Sequence, residues 1–258
     1  MFGILKRRRR ERIRAQPFPS EWLAIIQRNV PMYTRLSEAD RDELHRRVLV
    51  FIAEKNFEGA GGLEMTDVVR VTIAAQACIL LLGLDDDDYY PRLRSIVVYP
   101  SAFTVPRGER DGGIVREDHA VHLGESWGHG AVVLSWNSAR RGAADPRDGK
   151  NVILHEFAHQ LDQEDGAADG TPELDRLAFY APWARVLSEH YLALRKAART
   201  GRKTLLDRYG ATNEAEFFAV ASECFFERPV QLRTRHPELY QELSGYYGQD
   251  PAGAMGPA

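Results

Sequence analysis

The segment His155-Glu156-Phe157-Ala158-His159 constrains the fold of this chain more than any other part of its sequence. Histidines four residues apart lie on one face of a helix, one turn apart, so both imidazoles can bind the same ion. The surrounding residues predict a helix over about 151–163 with a buried apolar back, formed by Val152, Ile153, Leu154, Phe157, Ala158 and Leu161. We therefore expect a buried helix that presents two metal ligands. Two histidines satisfied within an ordinary core are the competing interpretation.

Zinc is the metal that this spacing favours, because it accepts neutral imidazole nitrogens readily. Glu156 is rotated by about 100° from His155 around the helix, which places its carboxylate beside the ion instead of on it. There it can take a proton from the attacking water and later deliver that proton to the leaving amine. The helix thus predicts three roles: His155 and His159 as ligands of one zinc ion, and Glu156 as the general base.

A catalytic zinc site usually has three protein ligands and a water, so a third ligand is expected. Asp165 lies six residues after His159, a spacing that some peptidases use for a metal ligand. That arrangement requires a glycine three residues after the second histidine, where this chain has Asp162, so Asp165 is disfavoured. Asp162 lies on the same helix face as the histidines. It either accepts a hydrogen bond from a ligand histidine or is an ordinary polar residue near the helix end.

Glu216 is the stronger candidate for the third ligand, in the first turn of a helix predicted over about 213–227. Asn213 and Glu216 also match a capping box, so a purely capping glutamate is the alternative. Two further acids of the segment are rivals, Glu214 and Glu223. Glu223, two turns after Glu216 on the same face, could instead lie behind a ligand or be a simple salt-bridge partner. Tyr209 lies seven residues before Glu216, and a phenol near the metal can donate to an oxyanion, although most tyrosines are packing residues.

Helical patterns flank a short stretch of strand-like patterns in this chain. Capping residues and apolar periodicity predict helices over about 20–28, 37–52, 66–84, 151–163, 174–199, 213–227 and 237–247. Short β-branched or alternating segments predict a small sheet of three or four strands, at 95–99, 120–123 and 131–136. The glycine-rich segment 57–65 is expected to be a break. Together these elements predict a mostly helical α+β domain with a small mixed sheet beside the histidine helix.

At 258 residues the chain is long enough for one domain with a sizeable core. We expect that domain over 20–247, with a helical part over about 20–90 and a catalytic part over 91–247. Residues 1–19 are expected to form a basic, flexible tail, and 248–258, rich in Gly, Pro and Ala, a disordered one. The Arg7–Arg10 cluster leaves contact with nucleic acid or an anionic membrane as a hypothesis beside a solvated arm. No recognition motif accompanies it, so no specific nucleic-acid partner is expected.

Cysteine content and hydropathy bear on the compartment. The two cysteines, in apolar helical stretches, cannot form a disulfide scaffold or a Cys-rich zinc site, and we expect buried free thiols. The basic start does not run into an apolar stretch as a signal peptide does. The longest apolar run, 73–84, is too short to span a bilayer, so we expect a cytoplasmic protein with no membrane partner. The acidic run Asp85–Asp88 lacks the ligand spacing of a calcium loop and predicts a solvated loop.

Two segments of the chain together resemble a known family. The first is His155-Glu-Phe-Ala-His-Gln-Leu-Asp162, and the second is Thr212-Asn-Glu-Ala-Glu-Phe-Phe-Ala219. They resemble the Mlc titration factor A family of bacterial zinc peptidases, and the second segment is also similar to the catalytic domain of anthrax lethal factor. The family resemblance covers most of the chain from about residue 20. One departure is Val220, where the lethal-factor-like pattern has a further glutamate.

The resemblance implies a zincin-like metallopeptidase domain with a glutamate-type zinc site. In that site His155, His159 and Glu216 bind zinc, Glu156 is the general base and Tyr209 stabilises the oxyanion. The resemblance also implies aminopeptidase-like activity on small peptide substrates, and binding of Mlc, a glucose-responsive transcriptional repressor. A non-catalytic regulator that sequesters the repressor is the alternative. The complete set of site residues favours catalysis, since sequestration alone would need none of it.

Overall fold

The computed structural model describes residues 2–84, 88–101, 103–111, 114–122, 124–127 and 130–255. Its helices are α1 Phe2–Arg14, α2 Ser20–Asn29, α3 Glu38–Glu54, α4 Asp67–Leu80, α5 Trp136–Ala144, α6 Val152–Asp162, α7 Leu177–Arg199, α8 Glu214–Glu227, α9 Pro229–Arg235, α10 Pro237–Tyr247 and α11 Pro251–Ala254. Its strands are β1 Asn56–Gly59, β2 Ser95–Tyr99, β3 Phe103–Asp111, β4 Ile114–His122, β5 Gly124–Trp127 and β6 Ala131–Ser135. Two short 3₁₀ helices cover Pro31–Arg35 and Arg208–Ala211.

Four strands form a mixed sheet in the order β1-β2-β6-β5. Strands β1, β2 and β6 are parallel, and β5 runs antiparallel to β6. In β2 the side chains of Ile96 and Val98 are fully buried while their neighbours are half-buried, the alternation of a strand with one face on the core. Strands β3 and β4 form a separate antiparallel ribbon. The predicted α+β class with a small mixed sheet is confirmed.

The helix that carries both histidines, α6, lies in the centre of the fold. It contacts β5 and β6 on the sheet side and the helices α4, α5 and α8 on the other sides. Its Phe157 ring lies 5.0 Å from the ring of Tyr90 and 5.8 Å from that of Phe51, all three fully buried. Helix α4 is apolar and buried along almost its whole length. The apolar back of α6 is thus packed, and its histidine face is turned towards α8.

Both cysteines are buried and free, as expected from their apolar surroundings: Cys78 on α4 and Cys224 on α8. Burial raises the pKa of both thiols, that of Cys224 to about 12. A thiol held protonated in this way is a poor nucleophile and metal ligand. The cysteines therefore belong to the core.

The expected break over 57–65 is partly wrong, because its first residues belong to strand β1. Phe57 packs against the core and pairs with Ile96 of β2. The chain turns after Gly59, where a Cβ atom would lie only 2.0 Å from the carbonyl oxygen of Leu63. The glycine-rich part of the segment thus follows strand β1 and ends it.

The structure also corrects the expectation of a flexible basic tail, since residues 2–14 form helix α1. Arg10 donates two hydrogen bonds to Glu54, of 2.9 and 2.7 Å, with both side chains largely buried. Arg14 lies 2.7 Å from Glu43, and Lys6 lies 2.6 Å from Asp88. Paired charges on one face of α1 therefore dock the helix on α3, although its composition alone favours a solvated arm.

The chain end differs from the predicted disordered tail as well. Gly248 ends α10 in the left-handed conformation, with φ of 60°, and the chain then returns to the core. Asp250 caps α11, where Ala252 is fully buried, and Gln249 donates to the carbonyl of Ile79 at 2.9 Å. Residues 85–87 of the acidic run and 256–258 of the expected tail lie outside the described residues. Each helix within the described ranges is too short or too polar to span a bilayer.

Candidate metal centre

Helix α6 begins at a strong cap, which fixes the position of the first histidine. The side chain of Asn151 accepts hydrogen bonds from the backbone N–H groups of Ile153 and Leu154, at 3.1 and 3.2 Å. These are two of the amide groups that a helix start leaves without intrahelical partners. His155 follows one turn later and His159 two turns later, on the same face.

Three predicted ligands converge on one point. The Nε2 atoms of His155 and His159 lie 3.2 Å apart, and they lie 3.0 and 3.3 Å from the same Oε2 atom of Glu216. A tetrahedral zinc ion, about 2.0–2.1 Å from each ligand, places its ligand atoms roughly 3.3–3.4 Å apart. The three separations match the edges of such a tetrahedron, and the donor set of two imidazoles and one carboxylate suits zinc. The residues therefore fit the metal that the sequence predicts.

The first turn of α8 brings Glu216 to this point. Asn213 caps the helix by accepting from the backbone N–H of Glu216 at 2.8 Å, as half of the predicted capping box. The carboxylate of Glu216 faces the two histidines. Of the rival acids, Glu214 and Asp165 are both exposed. Asp165 accepts instead from the N–H of Ala167 at 2.8 Å, within its own loop.

The fourth acid considered, Glu223, lies on the outer side of His155. Its Oε1 atom is 2.7 Å from Nδ1 of that imidazole, and its Oε2 accepts from the backbone N–H of Asn151 at 2.5 Å. A carboxylate this close to Nδ1 favours a proton on that nitrogen, which leaves Nε2 as the ring atom that can bind a metal. Glu223 thus orients the imidazole of a candidate ligand, as carboxylates behind metal-bound histidines do.

Asp162, the other sequence candidate for that outer position, is fully buried one turn beyond His159. Burial raises its pKa to about 6, while the backbone N–H groups of Gly170 and Thr171 and the nearby His159 act in the opposite direction. The carboxylate faces the loop that follows α6. For His155, the outer position belongs to Glu223 on α8.

The charges within the site support one another. Burial alone would lower the pKa of His155, but its hydrogen bonds with Glu216 and Glu223 outweigh burial and raise that pKa well above its ordinary value. Burial alone would raise the pKa of Glu216, but its hydrogen bonds with His155 and His159 hold that pKa well below its usual range. The site therefore favours positive charge beside Glu216, which a dication also supplies.

Tyr209 and Glu156 lie at the same cavity as His155. The cavity has a volume of about 520 Å³, and all three side chains line it. The hydroxyl of Tyr209 donates to Oε1 of Glu216 at 3.3 Å, and more than half of this side chain is exposed. Glu156 is 4% exposed, so its carboxylate reaches the cavity from within the core. Val220 lines the cavity too, an apolar residue where the lethal-factor-like pattern has a glutamate.

An ion pair connects the turn of Tyr209 to the start of α6. Asp207 caps the 3₁₀ helix Arg208–Ala211 by accepting from the backbone N–H of Tyr209 at 2.9 Å. The other oxygen of Asp207 lies 2.9 Å from Nζ of Lys150. Neither residue is a sequence candidate, because their partnership joins segments 57 residues apart. The cap itself has a local signal, an Asp two residues before the tyrosine.

A buried polar network behind the centre also escaped sequence reasoning. Asn151 donates its side-chain amide to Gln76 on α4 at 2.7 Å and to Glu227 on α8 at 3.0 Å. The second oxygen of Glu227 accepts from the backbone N–H of Lys150 at 2.9 Å. One asparagine thus joins α4, α6 and α8. The local sequence signal for this buried network is the spacing of Glu223 and Glu227, which lie one turn apart on α8.

Glu227 makes stability depend on pH. Burial raises its pKa to about 8; the hydrogen bond from Asn151 opposes this rise, and the charges of Glu223 and Asp148 add to it. Between about pH 4.5 and 8 the folded protein holds a proton that the unfolded chain has released, so this group lowers stability as pH rises through that window. We expect the free energy of unfolding, measured with urea in the presence of a chelator, to fall between pH 5 and 8.5. The fall should be larger for the wild type than for Glu227→Gln by on the order of 1–3 kcal/mol.

The glutamine loses one hydrogen bond, because its amide nitrogen cannot accept, and this costs about 1 kcal/mol at every pH. The test is therefore the slope of the free energy of unfolding against pH, and not the constant difference between the two proteins. Glu173→Gln makes the same change on an exposed side chain and should keep the wild-type slope. Equal slopes for wild type and Glu227→Gln would contradict the raised pKa.

Comparison with known proteins agrees with this geometry. The family described as glucose-regulated metallo-peptidase M90 matches residues 4–248. An uncharacterised protein of Synechocystis is 41% identical over 94% of this chain and 89% of its own length. Mlc titration factor A of Cronobacter sakazakii is 33% identical, over 90% of this chain and 87% of its own length. Mlc titration factor A of Klebsiella pneumoniae is 32% identical, over 86% of this chain and 84% of its own length. The chain belongs to the glucose-regulated metallo-peptidase M90 family.

Proposed function

We propose that this protein is a zinc-dependent peptidase that hydrolyses peptide bonds, with aminopeptidase-like activity on small substrates. The observation that carries the proposal is the convergence of His155, His159 and Glu216 at tetrahedral spacing. Glu156 and Tyr209 line the cavity beside them. Membership of a metallo-peptidase family supports the same conclusion.

His155, His159 and Glu216 would hold one zinc ion per chain. When bound, zinc supplies a Lewis acid that polarises the scissile carbonyl and increases the acidity of water. Glu223 and the cap at Asn151 keep the first imidazole in one orientation and one tautomer. A ligand held in this way does not have to reorganise when the metal binds.

Glu156 is the proposed general base. Its position one residue after His155 turns its carboxylate away from the ligand point and into the cavity. From there it takes a proton from the attacking water and delivers that proton to the leaving amine nitrogen. Its burial helps, because a carboxylate screened from bulk water loses less of its interaction with the reacting atoms.

Tyr209 is the proposed oxyanion donor. Its hydroxyl lies 3.3 Å from Glu216, so it can be redirected from that carboxylate towards a carbonyl oxygen in the cavity. The cap from Asp207 fixes the backbone of the tyrosine, while more than half of its side chain is exposed at the cavity. A donor aimed at developing negative charge contributes where the transition state needs it.

Binding of a transcriptional repressor is the second candidate function. The relatives from Cronobacter and Klebsiella are named as titration factors of Mlc, and this chain covers most of their length. We propose that this protein also binds an Mlc-like, glucose-responsive repressor, which would place it in the cytoplasm. A regulator that sequesters the repressor without cutting peptides is the alternative. The presence of all three proposed ligands, His155, His159 and Glu216, together with Glu156 favours catalysis.

The experiment combines metal analysis with peptide cleavage by the full-length protein. We expect about one zinc per chain and cleavage of short unblocked peptides. Chelation should abolish cleavage, and stoichiometric zinc should restore it. In a parallel titration, an Mlc-type repressor is added to the chelated protein and to the zinc-loaded one. Repressor binding with no cleavage under any metal condition would favour the sequestering regulator, and absence of bound zinc would refute the peptidase.

A further inference from the structure

The catalytic cavity adjoins a second one, of about 410 Å³. The two cavities share the segment 148–150 and Asp207 as walls. The ion pair between Lys150 and Asp207 lies on this boundary. A peptide that extends past the zinc ligands and Tyr209 on this side would therefore approach the second cavity.

Cationic side chains line the far part of that second cavity. We call Lys203, Arg208 and Arg228 the basic subsite. Lys203 and Arg208 are exposed, and Arg228 is half-buried. The aliphatic stem of Arg228 lies against Gly149, where a Cβ atom would be 3.0 Å from Cδ of the arginine. The arginine thus forms part of the wall and is not a free surface arm.

The positive charge of the basic subsite exceeds the negative charge around it. In the parts of the chain that the structure describes, no carboxylate forms an ion pair with any of its three cations. Arg208 donates to the carbonyls of Gly201 and Arg202, at 2.9 and 3.0 Å, which leaves its positive charge in place. Of the two acids of the cavity, Asp207 is paired with Lys150, while Asp148 accepts from the backbone N–H of Lys150 at 2.8 Å and keeps its negative charge.

The whole chain has a net charge of −3, whereas the second cavity is lined by four cations and two acids, a net charge of +2, so it departs from the average surface. Such a cavity favours anionic ligands by electrostatic attraction that salt weakens. The anion that a peptide offers is a carboxylate. We propose that the protein prefers peptides with a carboxylate on the side of the scissile bond that enters the basic subsite; this rests on the proposed peptidase function. The carboxylate is that of an acidic side chain or of the peptide's C-terminus.

The test uses the zinc-loaded full-length protein and a series of matched fluorogenic peptides. One arm moves a single Glu or Gln through each position around the cleaved bond. The other arm compares free C-terminal acids with C-terminal amides, which separates the two sources of the carboxylate. At low salt, we expect kcat/KM to be about 3- to 10-fold higher for the acidic member of at least one matched pair. The preference should fall towards unity at 0.5 M salt.

Charge reversal tests whether the basic subsite causes the preference. Lys203→Glu with Arg208→Glu should remove or reverse the preference, measured as the ratio of the kcat/KM values for the acidic and the neutral member of each pair. Lys196→Glu with Arg199→Glu makes the same charge change on exposed positions of α7 that line neither cavity, and should keep the preference. If the subsite variant misfolds, the salt dependence of the wild type still tests the electrostatic preference, because a preference that persists at 0.5 M salt would contradict it.

A binding measurement separates failure of this inference from failure of the proposed function. Glu156→Gln protein is titrated with labelled acidic and neutral peptides, and fluorescence anisotropy reports their affinities without turnover. Tighter binding of the acidic peptide, lost in the subsite variant, supports the preference even if no peptide is cleaved. Equal affinities and equal kcat/KM values for every matched pair would overturn it.

Discussion

Glu156→Gln is expected to lower kcat by about 10²- to 10⁴-fold while the protein keeps about one zinc per chain. Glutamine has nearly the same size and shape, so it fits the same buried position, which is 4% exposed in the wild type. It cannot accept a proton from water at neutral pH, and the step that the carboxylate serves is lost. The three proposed ligand atoms come from other residues, so metal binding should survive.

Zinc content, unfolding temperature and turnover of one peptide measure this prediction together. Glu189→Gln on the exposed surface of α7 is the matched control and should behave as wild type in all three. Loss of zinc in Glu156→Gln would show that the side chain supports the site and would leave its role as a base unproven. Unchanged turnover with zinc bound would exclude Glu156 as the general base.

Local patterns in the sequence predict most residues of the candidate site. Helical periodicity places His155 and His159 on one face, and the buried residues behind them direct that face. The capping pattern at Asn213 puts Glu216 in a first turn, where its side chain can leave the helix. The structure brings these three residues together, with Tyr209 beside them. Each of these residues could be predicted from the pattern of its own helix or turn.

Contacts between distant segments explain what the sequence left open. Asp162, on the helix face of the histidines, and Glu223, two turns after Glu216, are both candidates for an outer carboxylate. The choice of Glu223 depends on how α8 packs against α6, which no local pattern encodes. The basic start of the chain is a similar case. Its composition favours a solvated arm, and the acids that order it, Glu43 and Glu54, lie on another helix.

Glu216→Gln is expected to weaken zinc binding by at least about 100-fold, beyond what loss of an outer-shell partner usually costs. An amide has no negative charge to offset that of the dication, and its carbonyl is a weaker ligand for zinc. The two imidazoles also lose the carboxylate that lies 3.0 and 3.3 Å from their Nε2 atoms. Peptide cleavage should fall with zinc occupancy and recover only in part at high zinc.

Glu214→Gln is the control, because that acid lies in the same helical turn but is exposed. Zinc at about 100 times its dissociation constant stabilises a folded protein by about 2.7 kcal/mol. Wild type and Glu214→Gln should therefore gain unfolding temperature as zinc is added, while Glu216→Gln should gain little. Equal gains for both variants would mean that Glu216 only caps α8 and that the third ligand is another carboxylate. The 3.0 and 3.3 Å separations from the two imidazoles argue for the first outcome, since a capping side chain has no reason to face them.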